Sequence, residues 1–226
     1  MAKYEKPVNM SANSELQAYF RKEQRRKVRN YRELNKIAQK GQILFTGSSL
    51  MEHFPIAEYC LSIGRTEIVY NRGISGTTTD QFLEEIDTVL LDLEPSKVFI
   101  NIGTNDINAR DDGEYWQNHL LKNYEEILRR LKQHLPETEV YMMAYYPVNE
   151  AILYADREIG TRTNAALTDT NVKLEMLAQK YGFNFIDVND GIKDERGNLR
   201  EDITVEGMHI YAGGYASIFE ALKQYL

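Results

Sequence analysis

Acyl transfer needs a nucleophile, a base to activate it, and fixed donors for the negative charge that builds on the carbonyl oxygen. This chain holds residues of each kind beside apolar runs. Gly47-Ser48-Ser49 follows Ile43-Leu44-Phe45-Thr46. A serine after a strand is most often a turn or cap residue, so the Ser49 hydroxyl counts only if a base reaches it. His53 lies four residues beyond it, and His119 and His134 fall in a helical stretch. His209 stands apart, in Glu206-Gly207-Met208-His209, between a long loop and a final helix. A carboxylate three residues ahead of an imidazole can orient the ring and stabilise its protonated form. Gly76 closes the turn Arg72-Gly73-Ile74-Ser75-Gly76, where a backbone N–H can approach a ligand closely. Asn105, in Gly103-Thr104-Asn105-Asp106, offers a side-chain amide as a second donor.

These segments need elements to carry them. Strands are expected at 43–46, 67–71, 97–102, 140–146 and 183–187, the third a short apolar run suited to a strand covered on both faces. Helical periodicity marks 14–39, 80–93, 115–135 and 163–181, and a last helix after Gly213-Gly214. Residues 50–65 and 188–206 read as loops, and 148–162 as a polar connector that could overhang the site. Strands alternating with helices of more than ten residues predict an α/β fold with a parallel sheet and helices on both faces. Ser49, Gly76 and Asn105 then lie at or near the carboxyl ends of strands, where open α/β sheets bind ligands.

The four segments, in this order, resemble the four blocks of the SGNH (GDSL-type) hydrolases. The resemblance covers most of residues 43–219. It implies a flavodoxin-like, three-layer α/β/α sandwich with a five-stranded parallel sheet. It also implies a serine esterase without cofactor or metal. Ser49 would be the nucleophile and a first oxyanion donor through its N–H. Gly76 would give the second donor, Asn105 the third, and His209 the general base oriented by Glu206. The chain departs from the family pattern twice. Ser48 stands where the family usually has Asp, which leaves open which serine attacks. Glu206 stands where the family usually has Asp, and Asp202 is a second carboxylate ahead of the same histidine. A non-catalytic binding module that kept the fold is the alternative reading.

Composition bounds the rest. With 226 residues and 42% apolar content, one large domain with a full core is expected. Residues 1–40 hold 11 Lys and Arg against 4 Asp and Glu, and residues 41–226 hold the other 16 and 30. We therefore read residues 1–40 as a basic helical arm packed on an acidic hydrolase domain, 41–226. Its apolar stripe is expected at Val28, Tyr31, Leu34, Ile37 and Ala38. An acidic body repels polyanions, so no nucleic-acid partner is expected. No apolar run approaches the roughly 20 residues of a membrane span, and one cysteine, Cys60, excludes a disulfide framework. The expected setting is cytoplasmic, and the expected partner a small-molecule ester. Asp106, Asp111 and Asp112, and Asp187, Asn189 and Asp190, match no metal-loop spacing. The sequence also lacks a phosphate-binding P-loop and a G-x-S-x-G elbow.

Overall fold

Residues 10–108, 115–153 and 162–226 are described by the computed structural model. The apolar runs form five strands, β1 Ile43–Gly47, β2 Val69–Asn71, β3 Lys97–Asn101, β4 Glu139–Met143 and β5 Asn184–Ile186. They pair in the order β2-β1-β3-β4-β5, every pair parallel. The winding therefore reverses between β1 and β3. Strand side chains alternate between faces. Leu44, Val98, Ile100, Val140 and Met142 point into one core layer, and Ile43, Phe45, Phe99, Tyr141 and Met143 into the other. In the second layer Phe45, Phe99 and Tyr141 are in register across three strands and stack at 4.6 and 4.9 Å. Aromatic pairs at this spacing add about 0.5–1.5 kcal/mol beyond the area they bury.

Helices cover both faces, as the alternation predicts. On the first lie α1 Met10–Asn35, α4 Thr79–Glu84, α5 Ile86–Val89, α6 Trp116–His134 and α8 Asn164–Tyr181. On the second lie α2 Ser49–Glu52, α3 Ile56–Ser62 and α9 Ala212–Leu222. The short α7, Glu150–Leu153, opens the connector after β4. The expected overhang of 148–162 falls largely on residues 154–161, outside the described residues, and Asp111 and Asp112 lie outside them too. Among the described residues, no helix is long and apolar enough to cross a membrane.

Four expectations are corrected. Residues 50–65 are not a loop but hold α2 and α3. Ile56 and Cys60, one turn apart, face inward, and Pro55 sits at the N-cap. The helix expected at 80–93 is broken at Glu85 (φ −115°, ψ 17°). The carbonyls at the end of α5 are taken up by side chains. Asn35 Nδ2 donates to Thr88 O at 2.8 Å and Thr46 Oγ1 to Val89 O at 2.9 Å. Orphan helix carbonyls need such partners when water is excluded. The last helix begins before Gly213-Gly214, and Gly214 packs closely on Ile203 and Ile210.

The fourth correction concerns α1. It ends at Asn35, and Leu34 and Ile37 are 46% and 82% exposed. The face that docks is Gln24, Val28, Tyr31 and Asn35, at helical spacing but with three polar tips. Tyr31 OH donates to Gly73 O at 3.0 Å, and Arg72 Nε to Asn35 Oδ1 at 3.1 Å. Hydrogen bonding across this face takes the place of an apolar stripe, which is why hydropathy alone misplaced it.

At the end of β1 the chain turns sharply. Gly47 has φ +144°, and a Cβ there would sit 1.9 Å from the Asn101 carbonyl oxygen. Gly47→Ala is expected to cost at least about 3 kcal/mol from strain and overpacking. Gly41→Ala, at φ +75° with open space around it, should cost only the backbone term, about 1–2 kcal/mol. Urea unfolding of the two variants checks the difference.

Candidate active site

The turn after Gly47 delivers two serines with different surroundings. Ser48 is the N-cap of α2 and fully buried, and its hydroxyl has no partner among the described residues. Ser49 opens α2 and stays 8% exposed. Its Oγ lies 2.9 Å from His209 Nε2, across 160 residues of sequence. The other ring nitrogen, His209 Nδ1, contacts Glu206 Oε1. A ring proton on Nδ1, donated to this carboxylate, leaves Nε2 free to accept the serine hydroxyl. Asp202 is engaged elsewhere, with Arg200 Nε and Nη2 at 3.0 and 2.6 Å.

The extra methylene of Glu206 is absorbed by a tight turn. Val205 N donates to His209 O at 2.8 Å, Thr204 Oγ1 to the same carbonyl at 2.9 Å, and Gly207 N to Thr204 Oγ1 at 2.8 Å. From there the chain enters α9, whose Tyr215 hydroxyl donates to Leu50 O at 2.8 Å. That bond ties the histidine-bearing segment to the serine-bearing helix.

The turn after β2 is held almost residue by residue. Asn71 braces it, donating from Nδ2 to Met51 O at 2.6 Å and accepting from Gly73 N at 2.8 Å. Ile74 N donates to Gly47 O at 3.0 Å, Ser75 N to Glu52 Oε2 at 2.5 Å, and Thr77 N to Ile74 O at 3.3 Å. Gly76, at φ +73°, is the exception. Its N–H meets no acceptor among the described residues, and neither does that of Ser49. Asn105 Nδ2 donates to Thr77 O at 2.9 Å, and Asn105 Oδ1 accepts from Arg162 Nη2 at 3.3 Å. The same Arg162 nitrogen donates to Thr104 O, and the side chain is almost wholly buried. Sequence reasoning missed Arg162, because a single arginine after a polar connector carries no signal.

Two further groups fall near this centre. His53 is exposed, its ring 5.4 Å from that of His209 and its Nε2 3.4 Å from Ser75 Oγ. Partial burial, then the neighbouring His209 and Lys27, hold its pKa below the usual histidine value. Asp106 is buried at the start of α4, where Thr79 donates from its N–H at 3.0 Å and its hydroxyl at 2.5 Å. Burial outweighs these bonds and pushes its pKa up to about 6. Asp106 thus fastens the loop after β3 to the helix that follows the Gly76 turn. Asp187 and Asp190 lie by Lys193, and Asn189 Nδ2 donates to Tyr145 O at 3.0 Å. Among the described residues, no group of three or more His, Cys, Asp or Glu side chains could hold a metal ion.

Ser49 beside His209, with two unengaged N–H groups, stands at the carboxyl edge of a doubly wound sheet, an arrangement suited to hydrolysis. Residues 54–216 match the GDSL-like Lipase/Acylhydrolase family, and the chain belongs to that family of serine hydrolases acting on esters. The matched span begins just after Ser49. A structure from Streptococcus pneumonia, described as a platelet activating factor, is 32% identical. It superposes with TM-score 0.85 over 96% of this chain and 99% of its own. An acylhydrolase from Bacteroides fragilis (23% identity, TM-score 0.72, 87% and 94% of the two chains) shares the fold. So does the acetylxylan esterase Axe2 from Geobacillus stearothermophilus (14%, 0.62, 82% and 94%). An N-acylneuraminate cytidylyltransferase from Escherichia coli is 27% identical over 205 residues, 86% of this chain. The chain spans 44% of that relative's length.

The burial of Asp106 sets a pH dependence of stability. Between about pH 4 and pH 6 the folded protein keeps a proton on Asp106 that the unfolded chain has released. Stability from this group therefore falls as pH rises through that interval and levels off above it. The full loss is on the order of 3 kcal/mol. Asp106→Asn removes the titration. The stability of wild type relative to Asp106→Asn should fall between pH 4 and pH 7 in urea unfolding, and parallel pH profiles would contradict it.

Proposed function

We propose that the protein is an esterase that works through Ser49, His209 and Glu206. The observation that carries this reading is the 2.9 Å contact between Ser49 Oγ and His209 Nε2, with Glu206 on the far nitrogen. Ser49 attacks the ester carbonyl as its proton passes to His209 Nε2. The oxyanion is received by the Ser49 and Gly76 N–H groups and by Asn105. An amide carries two N–H hydrogens; Thr77 O holds one and sets the amide plane, and the other is left for the oxyanion. As the intermediate collapses, His209 gives its proton to the departing alcohol. It then takes a proton from water as that water attacks the acyl-serine, and returns it to Ser49 Oγ as the acid leaves. Glu206 keeps the ring in the tautomer each step needs and stabilises the imidazolium.

The substrates are small carboxylic esters: lipid esters, acetylated sugars or thioesters. The acetylxylan esterase and the N-acylneuraminate cytidylyltransferase act on sugar compounds by their names, which supports including acylated sugars. A cytoplasmic setting is part of the proposal, in keeping with the free, buried Cys60. Activity on acyl esters from two to sixteen carbons, and on acetylated sugars, separates the substrate classes.

A fluorophosphonate probe should label Ser49 covalently, and folded protein that resists labelling would make the fold a binding module instead. Ser49→Ala should abolish hydrolysis of a short p-nitrophenyl ester, whereas Ser48→Ala keeps most of it. Asn105→Ala should lower kcat by about 10²–10³, the usual loss for one such donor, and a change of only a few-fold would remove Asn105 from that role.

A further inference from the structure

The N-terminal helix reaches the same turn from behind. Gln24, on the docking face of α1, donates from Nε2 to Ser75 O at 2.9 Å. Ser75 C=O and Gly76 N–H belong to one peptide unit. That unit is planar and trans, so its carbonyl and its N–H point in opposite directions. A bond that fixes one end fixes the other. With Ser75 O held toward α1, the Gly76 N–H is turned away from α1. The preceding peptide is held too, since Ser75 N donates to Glu52 Oε2 on the serine-bearing helix α2, and Lys27 of α1 pairs with the same Glu52. From this we infer that Gln24 is a positioning residue for the Gly76 oxyanion donor, and that α1 is a working part of the catalytic centre. The inference rests on the esterase reading above.

Two observations single out Gln24 among the contacts of α1. A cavity of about 230 Å³ lies between α1 and α4, walled by Gln24, Val28, Gly47, Ile74, Thr77 and Phe82. The turn is therefore not packed in place from that side, and a polar tie does the holding. Gln24 also approaches closely: a Cβ on Gly76 would come within 3.3 Å of its Nε2. Tyr31, another α1 side chain bonded to the backbone of this turn, holds Gly73 O, two peptide units short of the one that matters. Accepting a hydrogen bond at the carbonyl also polarises the amide, which strengthens the N–H on its other side. Gln24 thus acts on the orientation and the strength of a donor it never touches.

The test compares Gln24→Ala, Gln24→Glu and Gln24→Lys with wild type and Tyr31→Phe, on an ester and on its thionoester, where sulfur replaces the carbonyl oxygen. Sulfur accepts hydrogen bonds poorly, so the rate ratio between the two substrates reports on the oxyanion donors. Gln24→Ala should lower ester kcat about three- to ten-fold, the factor expected for one ordinary hydrogen bond, with KM within about two-fold. It should also shrink the ester/thionoester ratio. Gln24→Glu, the same size but without a donor when ionised, should do as much or more. Gln24→Lys, which restores a donor at that reach, should recover part of kcat and of the ratio. Tyr31→Phe should leave the ratio at the wild-type value. Wild-type ratios in both Gln24→Ala and Gln24→Glu, with Ser49→Ala inactive, would overturn this inference and leave the esterase reading standing. An active Ser49→Ala would remove the esterase reading itself, and this one with it.

Discussion

All five strands run the same way, and the winding reverses between β1 and β3; that constraint fixes where chemistry can gather. β1 sits between β2 and β3, so the loops leaving its two neighbours rise on either side of Ser49. One brings Gly76 and the other Asn105. His209 cannot come by the same route, because β5 lies at the far edge of the sheet. It comes instead on the segment entering α9, which crosses the second face and bonds to α2 through Tyr215. The centre is thus assembled from three strand ends and one returning helix, each placed by hydrophobic layers on which the polar groups have no direct influence.

Polar bonds then supply the fine placement. The Gly76 turn is threaded through Asn71, Glu52, Gly47 and Gln24, and the Asn105 loop through Thr77, Arg162 and the Asp106–Thr79 contact. Several of these groups are buried and ionisable, and burying them carries a cost, as the raised pKa of Asp106 shows. Ser48 illustrates the same tension: a fully buried hydroxyl without a partner costs about 1–3 kcal/mol. The departure from the family pattern at this position leaves the turn bound through its backbone, with Ser48 N donating to Asn101 O at 3.2 Å.

The strands and the three long body helices were legible in the sequence because their signals are local. Short apolar runs and the helical period of 115–135 and 163–181 can be read a few residues at a time. The meeting of Ser49 and His209 was legible only from the segments as a set, since each residue alone has a commoner explanation. What could not be read were elements made by contacts far along the chain. α2 and α3 are too short to show a period. The break at Glu85 falls inside a run, Phe82 to Leu90, whose apolar spacing stays helical on both sides of it. The docking face of α1 defeated hydropathy because Gln24, Tyr31 and Asn35 bind through polar tips. Arg162 had no signal at all, since its value lies wholly in its contacts with Thr104 and Asn105.

The same long separation that hides the centre from a local reading also orders its appearance in time. The hydroxyl of Ser49 and the imidazole of His209 leave the ribosome 160 residues apart, an interval of roughly 10–30 s at ordinary rates of synthesis. For that interval the nascent chain carries Ser49 and the α1 segment but not His209. Under the proposed mechanism, a polypeptide still being made is chemically inert toward esters, and reactivity arrives only with the closing segment.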